Sequence, residues 1–451
     1  MTTKRTAITV LCLGLLLGCR RPPAALPVTP AADRRDLPDA LELRCGAAPQ
    51  PAVIDLGLRH PPSLDKPDPR EPFRDPVFGS CVVRITDSRR DTPSPGLKNV
   101  YARVQVFNSD GTRLLIYGTD GAWYLYDAVT FEPLGEVPLE AEPRWDPIHP
   151  DRLTYVDGTK LMAYDLGLEA AEEIRDFAGD VPKGAVAAWT AHEGRPSLDG
   201  RFFGLMAEDE DWVPVAFLVY DRQADQVTVR DMRQVSGIDE DVDHVTISPK
   251  GTTFLASFDR ACAVGQRGTE AYPCGLMAYE PDLTNGRGLL RIVGHYDVAL
   301  DREGREVVVY QDLDTDYISV VDLATAAVIP LWPIDFSHTP LGFHFSGLAY
   351  DKPGWALVST YSGGYPKAYT WMDDQVFALE LIAGGRVVRL AHTHSKVNPH
   401  RDHDYWAEPH ATVNRNFTRV VFTSNWGRSG TDVVDTYMLL LPDDGNLGLP
   451  R

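Results

Sequence analysis

The chain has no Cys-x-x-Cys spacing, no Lys/Arg-rich block in its folded part and no segment with a sustained helical period. Its N-terminal apolar run, residues 7–17, is too short to span a bilayer as a stable helix. Each absence removes a class. Without close cysteine pairs a thiolate zinc centre lacks its ligands. Without a basic patch, a chain of formal net charge -20 repels a nucleic-acid backbone, so no nucleic acid is expected as a partner. The same acidity means that an anionic ligand would need local cations or a metal ion to hold it. The missing helical period argues against a doubly wound α/β fold.

What is present points to many short strands. The 37 Gly and 35 Pro are spread along the chain instead of gathered in one tract, so turns recur throughout. At the N-terminus, Lys4 and Arg5 precede the apolar run and Leu16-Leu17-Gly18-Cys19. This order resembles a bacterial lipoprotein signal, which implies a signal peptide over residues 1–18 and lipidation of Cys19; an ordinary secretory signal that contains a cysteine is the other reading. Arg20 stands where an inner-membrane retention signal often has Asp. The resemblance therefore implies a cell-envelope protein, held at the outer rather than the inner membrane by its lipid alone. Residues 19–41 are rich in Pro and Ala and read as an extended tether, which leaves 42–451 as one domain.

Once Cys12 leaves with the signal and Cys19 carries lipid, Cys45, Cys81, Cys262 and Cys274 remain, in a compartment where disulfides persist. Three connectivities are open to four cysteines. Cys45 with Cys81 and Cys262 with Cys274 keeps both loops local; buried free thiols are the alternative for the first pair.

Internal similarity decides the fold. A polar turn followed by a β-rich segment occurs seven times: at Asn108-Ser109-Asp110-Gly111, His149-Pro150-Asp151, Ser197-Leu198-Asp199-Gly200, Ser248-Pro249-Lys250-Gly251, Asp301-Arg302-Glu303-Gly304, Lys352-Pro353-Gly354 and Asn414-Arg415-Asn416. Third strands end in Tyr126-Asp127, Tyr164-Asp165, Tyr220-Asp221, Tyr279-Glu280 and Val321-Asp322. The expectation is an all-β, seven-bladed β-propeller of four-stranded antiparallel blades. The last repeat has no room for a fourth strand, while residues 81–86, Cys-Val-Val-Arg-Ile-Thr, form an orphan strand upstream. Pairing the two would close the ring and remove an open edge. The chain is expected to act as a monomer.

In a propeller the innermost strand of each blade lines the axial channel, and its entry end faces one mouth, where ligands bind. The residues preceding each turn are Arg103 and Gln105, then Glu142, Arg144 and Trp145, then His192 and Glu193. Asp243 and His244, His295 and Asp297, His344 and Ser346, and Glu408 and His410 follow in blades four to seven. Five of the 12 histidines thus hold similar positions in successive repeats. Imidazole and carboxylate together suit a divalent ion such as manganese or zinc, and a further His beside it can act as a base; alternatively these histidines bond the backbone of neighbouring blades. His392, His394, His400, His403 and Asp404 form a second group on the way into the last blade, either capping the same mouth or lying on a polar surface loop. Trp371, Trp406 and Trp426 lie in or beside loops, where they stack on a sugar face or pack between blades.

Residues 243–249, Gly294-His295-Tyr296-Asp297, His344-Phe345-Ser346-Gly347 and the stretch from Glu408-Pro409-His410 to Trp426-Gly427 resemble the propellers related to oligogalacturonate lyase, and more broadly the TolB-type repeats. That lyase family holds manganese with three His and one Gln at the funnel and uses another His as base. By blade order the resemblance makes His344 and His410 metal ligands and His295 the base, with Arg103 and His244 beside it. The family's Gln-x-x-His-x-His in the last blade reads Tyr405-Trp406-Ala407-Glu408-Pro409-His410 here, so Glu408 replaces one His and the Gln is missing. The implied activity is β-elimination from a uronate oligosaccharide. A non-catalytic propeller that binds a glycan or a protein at the funnel mouth, or a periplasmic TolB-like scaffold, are the other readings.

Overall fold

The turns that mark the repeats are built by side chains that accept hydrogen bonds from their own backbone. In the computed structural model, Asn108 Oδ1 accepts from Arg113 N at 2.9 Å, Ser197 Oγ from Phe202 N at 2.9 Å, Ser248 Oγ from Thr253 N at 3.1 Å and Asn414 Oδ1 from Arg419 N at 2.9 Å. Asp301 closes its turn the same way on Arg305 N. Gly111, Gly200, Gly251 and Gly304 take the left-handed backbone that the turn requires, with φ between 68° and 76°. The recurrent Tyr-Asp has an equally local cause. Asp127, Asp165, Asp221 and Asp322 each use one carboxylate oxygen to accept two amides of the following hairpin.

The structure describes Cys45 and residues 52–235, 242–339, 341–362, 368–398, 400 and 402–442; the signal, Cys19 and the tether lie outside these. Six sheets have four antiparallel strands in chain order. Blade 1 runs Leu97–Lys98, Arg113–Gly118, Trp123–Asp127, Pro133–Val137, and blade 2 runs Arg144–Trp145, Arg152–Asp157, Lys160–Asp165, Ala170–Asp176. The inner strands of blades 3 to 7 are Ala187–Trp189, Val242–Ile247, Tyr296–Leu300, Gly342–Ser346 and Thr412–Val413. A 3-10 turn, Asp402–Ala407, leads into the inner strand of blade 7. Adjacent blades pack face to face: Val307 and Val309 of blade 5, for example, share one buried cluster with Phe343, Phe345, Val358 and Phe377 of blade 6.

The ring closes as expected, with two differences. Cys81–Arg84 pairs antiparallel with Asp435–Leu440, so the closing strand is shorter than 81–86; Ile85 and Thr86 leave the ladder, although both still hydrogen-bond to Thr436 O. A fifth strand, Pro72–Arg74, lies outside it and caps the edge. The prolines around it hide this strand from a reading of the pattern. Both expected disulfides form, Cys45–Cys81 and Cys262–Cys274. Asp435, fully buried, ties the junction together: it pairs with Lys66 and with Arg84 (3.2 Å) and accepts from Thr86 Oγ1 (3.1 Å) and Ser88 N (2.8 Å).

Blade 1 departs from the expected pattern. Arg103 and Gln105 were assigned to its inner strand, but residues 99–105 leave the sheet after Leu97–Lys98 and fill the axis; the chain rejoins the blade only where Val106 O accepts from Leu115 N and Phe107 bridges Leu114. Gln105 Nε2 donates to Val413 O and Thr412 Oγ1 to Val104 O, both blade 7; Arg195 of blade 3 donates to Arg103 O at 2.8 Å.

Asp435→Ala would leave Lys66 without its counter-charge and Arg84 with Asp87 alone (3.0 Å), and breaking a buried ion cluster in this way costs about 3–5 kcal/mol. Urea unfolding should show a loss of that size, against no measurable change for Lys160→Ala, whose partner Glu173 is solvent-exposed.

Candidate metal centre and funnel

The entry ends of the inner strands bring the distant histidines to one mouth. His344 belongs to the inner strand of blade 6 and His295 directly precedes that of blade 5; their ring centroids are 4.8 Å apart. His410 precedes the inner strand of blade 7 and lies 4.1 Å from His344, ring to ring. Its backbone is left-handed, φ 43°, an uncommon conformation for a non-glycine residue, and Asn99 of blade 1 donates to its carbonyl. Glu408 completes the group. Its Oε2 is 3.3 Å from His344 Nε2 and 3.6 Å from His410 Nε2, and the ligand atoms of the three residues lie within 4.8 Å of one another.

The donor set fits a divalent ion. Both imidazoles are buried, and neither ring nitrogen of His344, nor Nε2 of His410, has a hydrogen-bond partner among the described residues. Buried polar atoms are otherwise paired, and each neutral ring carries one lone-pair nitrogen, so His344 and His410 together offer two lone pairs beside a carboxylate to something that accepts them. Burial keeps both histidines uncharged, taking His344 to about 3 and His410 well below the usual range, with Lys98 adding to the effect. Burial also pushes the Glu408 carboxyl up, against a hydrogen bond from Tyr361.

Around this group stand residues from four other blades. His295 Nδ1 is 2.9 Å from Tyr101 Oη, and burial with the adjacent His344 drives its pKa down to about 3. Arg103 lies between the rings of Tyr101 and Tyr296, 5.0 and 4.9 Å from their centroids, and pairs with Glu193 at 3.3 Å. His244 is not part of the His344, Glu408 and His410 group. It bridges Asp243, 3.0 Å from its Nδ1, and Tyr296 Oη, 2.9 Å from its Nε2. Burial pushes the Asp243 carboxyl up, but the His244 hydrogen bond and Arg103 outweigh it and hold it at about 2.

Lys98 escapes a reading of the sequence. It is 1% exposed, and its Nζ lies 3.4 Å from His410 Nδ1 and over the rings of Tyr405 (5.3 Å) and Trp406 (5.1 Å). No carboxylate pairs with it among the described residues, and burial lowers its pKa to about 8. A lysine between Leu97 and Asn99 carries no signal of such a place, because lysines are mostly exposed.

Other candidates lie elsewhere. His192 is exposed and packs edge-on against Trp189; Asp297 faces away from the mouth, pairing with Arg195 at 2.8 Å. The His392 group does not cap the mouth. His392 ends the outer strand of blade 6, against Phe78 and Arg59 O, and His394 stacks on Trp426 at 4.3 Å. Asp404 is buried and accepts from Asn398 N and Gly430 N, a loop-building role; His400 is exposed, and the side chain of His403 lies outside the described residues. Trp371, Trp406 and Trp426 pack against buried clusters. The exposed indole at this end is Trp212.

No protein family model and no curated protein matches the chain. Solved structures do. An oligogalacturonate lyase in complex with manganese superposes with a TM-score of 0.57 at 17% identity, covering 88% of this chain and 98% of that one. The oligogalacturonate lyase of Vibrio parahaemolyticus gives 0.57 at 14% identity over 82% and 96%. TolB from Acinetobacter baumannii gives 0.34 at 16% identity over 66% and 64%. The two lyases share the seven-bladed fold with this chain.

Burial holds His392 and His394 uncharged, each down to about 4. In the unfolded chain a histidine takes its proton near 6.5. Between these values the unfolded state binds more protons, so stability is full above about pH 6.5 and falls as the pH drops toward 4. Urea midpoints measured from pH 7 to 5 should decline, and less steeply in His394→Asn; an unchanged slope in that variant would contradict the assignment.

Proposed function

We propose that the chain is a cell-envelope lipoprotein whose propeller is a divalent-metal-dependent lyase for uronate oligosaccharides. The observation that carries this is the buried group of His344, Glu408 and His410, with unpartnered nitrogens, beside His295 and the cations Lys98 and Arg103. His344, Glu408 and His410 would hold manganese or zinc. The bound ion supplies neutralisation of the sugar carboxylate, which acidifies the proton on the adjacent carbon.

The chain's own residues do the rest. Donation of Nδ1–H to Tyr101 Oη, 2.9 Å away, would leave His295 a lone pair on Nε2, and its depressed pKa keeps it unprotonated throughout the neutral range. It takes the proton from the carbon, the C–H electron pair becomes the new C=C bond, and the neighbouring C–O bond to the leaving sugar breaks. The leaving oxygen takes a proton from water. Lys98, which has no carboxylate partner among the described residues, offsets the chain's overall negative field at this mouth, whereas Arg103 is held by Glu193; that favours an anionic sugar over a neutral one. His244 and Asp243 fix Tyr296, against which Arg103 rests, and so position that arginine. The signal over residues 1–18, lipid on Cys19, the tether at 19–41 and placement at the outer membrane belong to the same proposal; the two disulfides fit an oxidising compartment.

A second reading, a non-catalytic propeller that binds a glycan or a protein partner at the same mouth, is favoured by Tyr405 and Glu408 standing where the lyase family has Gln and His. One experiment separates the two. Purified protein should bind one manganese or zinc ion, lose it on His344→Ala, and release product absorbing in the ultraviolet from oligogalacturonate. Lys98→Met should raise KM for the uronate about tenfold, the worth of one charge-assisted contact. Metal binding without product would support the second reading, and absence of both would overturn the first.

A further inference from the structure

The axial channel has a second mouth, where the inner strands end. There a cavity of about 310 Å³ is walled by Phe107, Trp145, Leu198, Leu348 and Tyr350, at the lower end of the ~300–1,000 Å³ typical of ligand sites. Gln105 and Arg195 also line it, and their hydrogen bonds to Val413 O and Arg103 O knit the axial segment 99–105 between this cavity and the histidine mouth. The two mouths are therefore separate sites.

The cavity lining carries Arg195, Arg415 and Arg419 with Asp110, Asp146 and Asp351, and Asp146 is taken by Arg222 at 3.2 Å. Arg195 pairs with Asp297 at 2.8 Å and Arg415 with Asp351 at 2.9 Å. Arg419 has no such partner. Its guanidinium lies 4.6 Å over the Phe107 ring and donates once, from Nη1 to Gly111 O at 2.9 Å, and no carboxylate forms an ion pair with it among the described residues. Burial lowers its pKa to about 10 in spite of the nearby Asp110. Tyr350 Oη on the same cavity is buried without a hydrogen-bond partner. A guanidinium with unused N–H groups is a fork shaped for a carboxylate, and the aromatic and aliphatic walls suit an apolar body behind it.

We propose that this second mouth binds a small aromatic monocarboxylate, its carboxylate on Arg419 and its ring against Phe107, Trp145 and Leu348. The site is independent of the chemistry assigned to the histidines. Benzoate titrated into the full chain, followed by calorimetry, should bind saturably at one site, and benzamide, its uncharged counterpart, about tenfold or more weaker. Arg419→Gln should cost about tenfold or more, while His344→Ala leaves benzoate affinity unchanged. Leu198→Trp, which narrows the cavity and keeps Arg419, should weaken binding as well, and it carries the test if Arg419→Gln unfolds. No saturable benzoate binding, equal affinity for benzamide, or wild-type affinity in the folded variants would overturn the proposal.

Discussion

The histidine mouth depends on one junction, the antiparallel pairing of Cys81–Arg84 with Asp435–Leu440. Lys98, His295, His344 and His410 come from four different blades, and no local segment holds any two of them together. Their spacing is set by the ring, and the ring is set by its closure. A propeller left open between blades 7 and 1 would expose the edge of its last sheet and release the contact of Asn99 with the His410 carbonyl. The buried charge cluster on Asp435 and the disulfide at Cys81 are both placed at that junction. Local turn chemistry makes each blade, but the site exists only in the closed ring.

Filling of the axis is the second constraint. The inner strand of blade 1 is two residues long, and the freed segment places Tyr101 against His295 and Arg103 between two tyrosine rings. It also divides the channel, so that a cluster with orphaned imidazoles lies at one end and an arginine without a counter-charge at the other. Both ends leave polar groups unsatisfied, which a folded chain otherwise avoids. A chain carrying 64 Asp and Glu against 44 Lys and Arg thus keeps, among the described residues, a cation without an ion pair at each mouth, Lys98 buried at one and Arg419 half-buried at the other.

The fold was largely legible because its signals are local. The turn residues at 108–111, 197–200, 248–251 and 301–304 act within five residues of themselves, and the Asp of each Tyr-Asp acts within three. The histidines were legible for the same reason, since one register places them at equivalent strand starts. Blade 1 misled because Val100, Ala102, Val104 and Val106 alternate like a strand; the segment is largely buried in the axis, and the carbonyls of Arg103 and Val104 take their partners from blades 3 and 7. Lys98 and Tyr361 were illegible, because only the assembled ring shows that each ends beside His410 or Glu408. His392 and His394 looked like part of a cap because they are close in sequence to His410, whereas an outer strand carries them away from the mouth.

The account stands on a metal ion held between blades 6 and 7, and X-ray anomalous scattering from crystals grown with manganese or zinc tests it most directly. It predicts a single strong anomalous peak at about 2.0–2.2 Å from His344 Nε2, His410 Nε2 and a Glu408 carboxylate oxygen. Crystals in which that position shows no anomalous signal, with His344 and His410 hydrogen-bonded to protein or water instead, would contradict it.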